Sequence, residues 1–257
     1  MQSRDPLKKA LAALRVLAEH QGCELGVREL GARLGMAPAT AYRALTNLVA
    51  DGLAIHVNGQ GRYRLSLDAY RLGLVLAAKA PWQDICPPHL RALARTTGES
   101  PAFAVVDRTQ LRMLTVARAH SEHAVQVVEQ DGWKPLHAGA SGLAILAHLP
   151  HADHVDALDS VRLTRETDWT ITDPLLLRSE LEKIRVRGYA LTRGQRVPGA
   201  VGIGAPVLST GGGVLGAVYI SIPEQRFADD REPDLSRALL ETTRRLSLDL
   251  SHIWANK

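Results

Sequence analysis

Residues 26–64 constrain this chain more than any other stretch. VRELGARLGM places Val27, Leu30 and Leu34 on one helical face. Gly35-Met36-Ala37-Pro38 then breaks the pattern. PATAYRALTNLVADG resumes it, with Pro38 suited to a first helical turn and Gly52 just past the end. IHVNGQGRYRLS follows as a hairpin about Asn58-Gly59-Gln60-Gly61. Two short helices at a sharp angle with a basic hairpin behind them form a winged helix-turn-helix, an arrangement that reads duplex DNA.

Within the second helix Ala41, Leu45 and Leu48 share the inward face. Pro38, Ala39, Thr40, Tyr42, Arg43, Thr46 and Asn47 remain for the outside. Threonines suit phosphate or a thymine methyl, Asn47 suits adenine, and Arg43 suits guanine or phosphate. Arg62 and Arg64 on the hairpin are candidates for the backbone or a minor groove. The alternative for each of these side chains singly is a solvated helix face. Charge supports the set: residues 1–80 hold 11 Lys/Arg against 6 Asp/Glu, whereas 81–257 hold 20 against 21. Positive charge concentrated on one unit favours phosphate.

A chain of 257 residues suits two domains. Asp5-Pro6 starts a first helix to about His20, with Leu7, Leu11, Leu14 and Leu17 as its expected stripe. LDAYRLGLVLAAKA is a linker helix that is apolar on more than one face and suited to burial against a second copy, or alternatively against its own C-terminal domain. Beyond Trp82, PAFAVVD, QLRMLTVARA, HAVQVVEQ, VGIGAPVLS and GVLGAVYISI read as strands. Helices are expected from Ala140, after Pro150, from Pro174 to a stop at Gly188, and over EPDLSRALLETTRRLSLDLSHIW. This mixture is an α+β sheet domain with helices on its faces. The expected boundaries are 1–66 for the winged helix-turn-helix, 67–80 for the linker helix and 81–257 for the sheet domain.

No run of about eighteen apolar residues is present, so no membrane span is expected. The polar start MQSRDPLKK is no secretory signal, and Cys23 and Cys86 form no disulfide or zinc pattern, which together suggest a reduced cytoplasmic setting. The histidines at 148, 151 and 154 lack companion ligands and read as surface residues. Neither a Ser-His-Asp set nor a carboxylate pair stands out, and no cofactor or metal is expected.

Five segments taken in order, VRELGARLGMAPATAYRALTNLVADGLAI, GRYRLSLDAYRLG, WKPLHAGASGLAILAHL, TITDPLLLRSELEKIRVRGYAL and VGIGAPVLSTGGGVLGAVYISIP, resemble the IclR family of bacterial transcription regulators. The resemblance implies a GAF-like C-terminal domain, with an antiparallel sheet flanked by helices, that binds a small effector. It also implies a homodimer or dimer of dimers on a palindromic operator.

Small residues at 139–142 leave free backbone N–H groups at a helix start, which suits an anion; the alternative is a plain strand-to-helix turn that needs small residues for packing. The resemblance places Gly139, Ala140 and Ser141 at the effector site. It also points to Tyr219 and Ser221 on one face of a late strand, where relatives taking very small acids carry two serines. Trp133 and His137 are candidates for the cavity wall. In LTRGQRVPGAVG, Arg193, Gln195 and Arg196 replace the family's acidic character; basic residues there suit an anionic ligand, with Arg193 a candidate site residue, and the alternative for each arginine is a solvated loop. The expectation is a repressor that senses a small organic acid, aromatic ones included, or a derivative. The alternative is an enzyme acting on a small acid with the winged helix as an accessory.

Overall fold

The computed structural model describes residues 5–20, 24–57, 61–127, 129–150 and 163–254, with side chains to 251. The expected hairpin turn at 58–60, the helix after Pro150, and Cys23, His151 and His154 lie outside the described residues. The chain divides into two compact units, Met1–Ala80 and Pro81–Lys257.

In the first unit Asp5 caps helix α1 (Pro6–Glu19) by accepting the Leu7 N–H at 2.9 Å. The buried face of α1 is Ala10, Ala13 and Leu17, while Leu7 is 65% exposed and Leu11 is exposed too. The expected leucine stripe is thus rotated. The short alanines let α1 approach α3 closely, and that contact outweighs the larger apolar area of the two leucines. Strand β1 (Leu25–Gly26) leads into α2 (Val27–Leu34). Gly35, at φ 61°, closes α2 in the left-handed region, and the Met36 N–H returns to the Gly31 carbonyl at 2.8 Å. Helix α3 (Pro38–Ala50) follows, with Ala41, Ala44, Leu45 and Leu48 buried. Strands β2 (Ala54–Val57) and β3 (Arg62–Leu65) pair antiparallel, and β1 adds to the far side of β3. Ser66 caps α4 (Leu67–Ala78), none of whose residues is buried.

The second unit runs α5 (Trp82–Thr97), β4 (Ser100–Asp107), β5 (Arg112–Arg118), β6 (Trp133–Pro135) and α6 (Ala140–Ala147). It continues with α7 (Pro174–Arg187), β7 (Ala190–Arg193), β8 (Ala200–Leu208), β9 (Val214–Pro223) and α8 (Glu232–Trp254). The strands form one antiparallel sheet in the order β6-β5-β4-β9-β8-β7. Side chains alternate across it. Val218, Ile220 and Ile222 join the core beneath α5 and α8, while Ala217 and Tyr219 join the core beneath α6 and α7.

HAVQVVEQ is not a strand: its described residues are irregular. Gln126 explains this. Its Nε2 donates to the carbonyls of Ser121 and His123, closing a local turn that a sheet ladder would have to break.

Helix α6 lies directly on β8 because Gly204 has no side chain. A Cβ there would stand 2.6 Å from the Ala140 carbonyl oxygen and 2.9 Å from the Ser141 nitrogen. Gly204→Ala therefore lifts the start of α6 off the sheet. Denaturant unfolding is expected to show a loss of about 1–3 kcal/mol, the usual cost of overpacking.

Candidate functional site

Two surfaces carry chemistry, one in each unit. In the first, Pro38, Ala39, Tyr42, Arg43, Thr46 and Asn47 are exposed along α3 and Thr40 is half-buried. Their shared direction follows from burial of Ala41, Ala44, Leu45 and Leu48 on the opposite face. The Arg43 Nε donates to the Ala39 carbonyl at 3.3 Å and the Thr46 hydroxyl to that of Tyr42 at 3.0 Å, so both side chains lie along the helix. Thr40, Arg43 and Asn47 line an open hollow with Pro6 and Lys9 of α1. Lys9 went unnoticed in the sequence because it precedes the helix-turn-helix by a whole helix.

The two hairpin arginines part company. Arg64 is exposed. Arg62 instead donates to the Glu24 carbonyl at 2.9 Å and pairs with the Glu29 carboxylate at 3.1 Å. Glu29 also accepts the Gly26 N–H at 2.8 Å, and chiefly through that bond its carboxyl sits below the ordinary range. Arg62 thus ties the hairpin to the start of α2.

In the second unit, the start of α6 meets β7, β8, β9 and the loop at 194–199 around a small cavity. Gly139, Ala140, Tyr219 and Ser221 line it, together with Glu129, Thr192, Gln195 and Arg196. At its centre is the Glu129 carboxylate. One oxygen accepts from Arg196 Nη2 at 2.7 Å and from the Ser221 hydroxyl at 3.1 Å. The other accepts from Lys134 Nζ at 2.7 Å and from the Tyr219 hydroxyl at 2.9 Å. Tyr219 accepts in turn from Thr115 at 3.0 Å, since its single proton goes to Glu129. Arg196 also reaches the Ser141 hydroxyl at 3.1 Å, and Gln195 accepts the Gly139 N–H at 3.4 Å.

Burial pushes the Glu129 carboxyl up, but the charges and hydrogen bonds of Arg196 and Lys134 outweigh it and hold it down at about 2. Burial and the adjacent Glu129 charge both push the Tyr219 hydroxyl up, keeping it a donor. Lys134 is lowered by burial, an effect Glu129 partly offsets.

Three expected site residues lie elsewhere. Arg193 pairs with Asp229 and sits over the Phe227 ring at 4.9 Å. Strand alternation sends Thr192 to the cavity and Arg193 to the opposite face; Arg196, beyond the Gly194 turn, is the arginine that lines the cavity. Trp133 is 43% exposed and lies beneath the Arg112 guanidinium, 3.8 Å away. His137 is fully buried and its Nε2 meets the Thr164 carbonyl at 2.8 Å, which anchors the turn before α6. Glu129 and Lys134 were missed. The apolar run before Glu129 reads as a strand, and Lys134 reads as an ordinary strand lysine.

The fold and this site define a regulator built from a DNA-reading winged helix and a ligand-binding domain. Residues 6–55 match the IclR helix-turn-helix domain, and 78–248 match the family described as bacterial transcriptional regulator IclR C-terminal. The HTH-type transcriptional regulator BhcR of Paracoccus denitrificans is 32% identical, covering 95% of this chain and 87% of its own. The transcriptional repressor IclR of Escherichia coli is 25% identical over 94% and 88%. Among solved structures, an IclR transcriptional regulator of Silicibacter sp. TM1040 superposes with a TM-score of 0.82, at 29% identity and 96% coverage of both chains. An IclR homolog of Microbacterium hydrocarbonoxydans, complexed with 4-hydroxybenzoate, gives 0.77 at 25% identity, covering 96% and 99%. This chain belongs to the IclR family of transcriptional regulators, with a helix-turn-helix DNA-binding domain and an effector-binding C-terminal domain.

Because the folded state holds Glu129 ionised, its contribution to stability is complete above pH 4.5 and is lost as pH falls toward about 2. Acid unfolding of the wild type is therefore expected to steepen across that window. Glu129→Gln should flatten the profile there, as read by circular dichroism.

Proposed function

We propose that this chain is a cytoplasmic, non-catalytic repressor. It binds a palindromic operator as a homodimer or dimer of dimers and responds to a small organic acid. The outward face of α3 carries the reading. Pro38, Ala39, Thr40, Tyr42, Arg43, Thr46 and Asn47 form the outward surface of a helix whose other side is core, with Lys9 beside it and Arg64 on the wing. A dimer presents two such helices to major grooves about 34 Å apart. Repression is the role that the Escherichia coli relative's name gives that protein.

The ligand class follows from the donors in the second unit. Lys134, Arg196, Tyr219 and Ser221 converge on one carboxylate. Gly139, Ala140 and Ser141 bring the start of α6 to the same place. Such a set recognises a carboxylate or its close derivative, and the 4-hydroxybenzoate bound by the Microbacterium homolog belongs to that class. The accessory-enzyme alternative finds no support here. A carboxylate held down at about 2 is too weak a base to activate Ser221, and Ser141 meets a guanidinium rather than an imidazole.

Dimerisation through α4 follows from its surface. Leu67, Tyr70, Leu72, Leu74, Val75 and Leu76 are all exposed on a helix with no buried residue. Apolar exposure on more than one face of a helix marks an interaction site. Leu74→Asp is expected to shift sedimentation toward the monomer and to abolish cooperative operator binding.

Gel shifts on the DNA flanking the gene, with a panel of aliphatic and aromatic acids, test the whole reading. Arg43→Ala should weaken operator binding by about 1–3 kcal/mol while leaving ligand affinity intact. Ser141→Leu should retain DNA binding and lose the response to ligand. Arg62→Ala should cost the first unit stability, about 1 kcal/mol in thermal unfolding, whereas Arg64→Ala should weaken DNA binding alone. Normal operator binding by Arg43→Ala would overturn the placement of the reading helix. A reporter driven by the same promoter, silent with the protein and active without it, fixes the sign as repression.

A further inference from the structure

Glu129 is in the position that an incoming acid would need. Its side chain is 9% exposed, and both carboxylate oxygens are fully engaged by Lys134, Arg196, Tyr219 and Ser221. The cavity left beside it measures about 20 Å³, room for one water and no organic acid.

The donors and the acceptor differ in how they are held. Lys134 sits on β6, and Tyr219 and Ser221 sit on the central strand β9. Arg196 is braced by Ser141 and lies 5.7 Å above the Tyr219 ring. Lys134, Tyr219 and Ser221 therefore belong to the sheet, and Arg196, on the loop at 194–199, is held by its contacts with Ser141 and Tyr219. Glu129 belongs to the β5–β6 connection, whose described residues form neither helix nor strand. Arg196 Nε is also buried without a hydrogen-bond partner among the described residues, a donor that Glu129 leaves unused.

We propose that Glu129 is an internal ligand: its carboxylate occupies the seat of the effector's carboxylate, and effector binding is an exchange in which Glu129 turns out. The inference rests on reading this site as a carboxylate receptor. Exchanging one carboxylate for another leaves the two buried cations paired both before and after, so the cost of an unpaired cation falls only on the vacant state between. It also sets a threshold. The apparent affinity falls by the fraction of time the seat is vacant, so acids that offer only a carboxylate do not displace Glu129. Acids that add a ring or a hydroxyl do, because those parts gain contacts that Glu129 cannot make. Glu129 is thus the residue that separates effectors from the simple carboxylates of the cell.

The experiment is calorimetry on the full-length protein with 4-hydroxybenzoate and benzoate, beside thermal shifts with acetate against chloride at equal ionic strength. Wild type, Glu129→Ala and Glu129→Gln are compared. If Glu129 fills the seat nine-tenths of the time or more, Glu129→Ala binds the aromatic acids at least about tenfold more tightly. Acetate then raises the melting temperature of Glu129→Ala but not of the wild type. Glu129→Gln keeps the side-chain volume and should shift affinity the same way by less, which preserves the test if the alanine variant does not fold. Equal affinity in all three proteins overturns the exchange and leaves the carboxylate-receptor reading standing. Folded variants and wild type that ignore every carboxylate overturn both.

Discussion

Two cations lie side by side in the interior of the second unit, and the geometry of the site depends on pairing them. Lys134 and Arg196 are about nine-tenths buried, and neither can remain so without an anion. Glu129 meets both. Around that contact the loop at 194–199, strand β6 and the start of α6 take up their positions. Arg196 reaches the Ser141 hydroxyl on one side and the Glu129 carboxylate on the other, joining α6 to the β5–β6 connection. Removing the anion would leave two like charges facing each other in a poorly solvated space.

The sheet makes this arrangement possible. Tyr219 and Ser221 project together from β9 because alternate residues share a face. The face behind them, Val218, Ile220 and Ile222, is sealed under α5 and α8. The polar side is reached by α6, whose start approaches β8 at the two glycines Gly202 and Gly204. The hydroxyls, the helix start and the two cations thus converge through packing constraints acting far from one another in sequence. The first unit solves a simpler problem. Within its core the short side chains of Ala10, Ala13, Ala41 and Ala44 let α1 pack against α3, and everything on the opposite side of α3 faces outward.

Much of this was legible in the residues. Asp5-Pro6, Pro38 and Asp173-Pro174 mark helix starts, and Gly35 and Gly188 mark ends, because capping is a local interaction. The alternation that pairs Tyr219 with Ser221 is likewise local. What misled was also local. The run before Glu129 has the composition of a strand, yet Gln126 turns it back on itself. Leu7 and Leu11 carry more apolar area than Ala10 and Ala13, yet close helix approach favours the alanines. Arg193 and Arg196 look equivalent in a basic loop, and only the last residue of β7 and the Gly194 turn separate them onto opposite sides.

By itself the sequence determined the two units, the winged helix-turn-helix with its outward residues, and the late strand bearing two hydroxyls. Each follows from periodicity, capping and turn chemistry, which act over a few residues. The tertiary structure alone decided that Arg62 pairs with Glu29 and braces the wing, that Arg196 rather than Arg193 enters the cavity, and that Glu129 lies between Lys134 and Arg196. Those outcomes depend on which side chains the packed framework brings within about 3 Å, the range of a charge-assisted hydrogen bond. No spacing along the chain encodes a meeting of residues 129, 134, 196, 219 and 221.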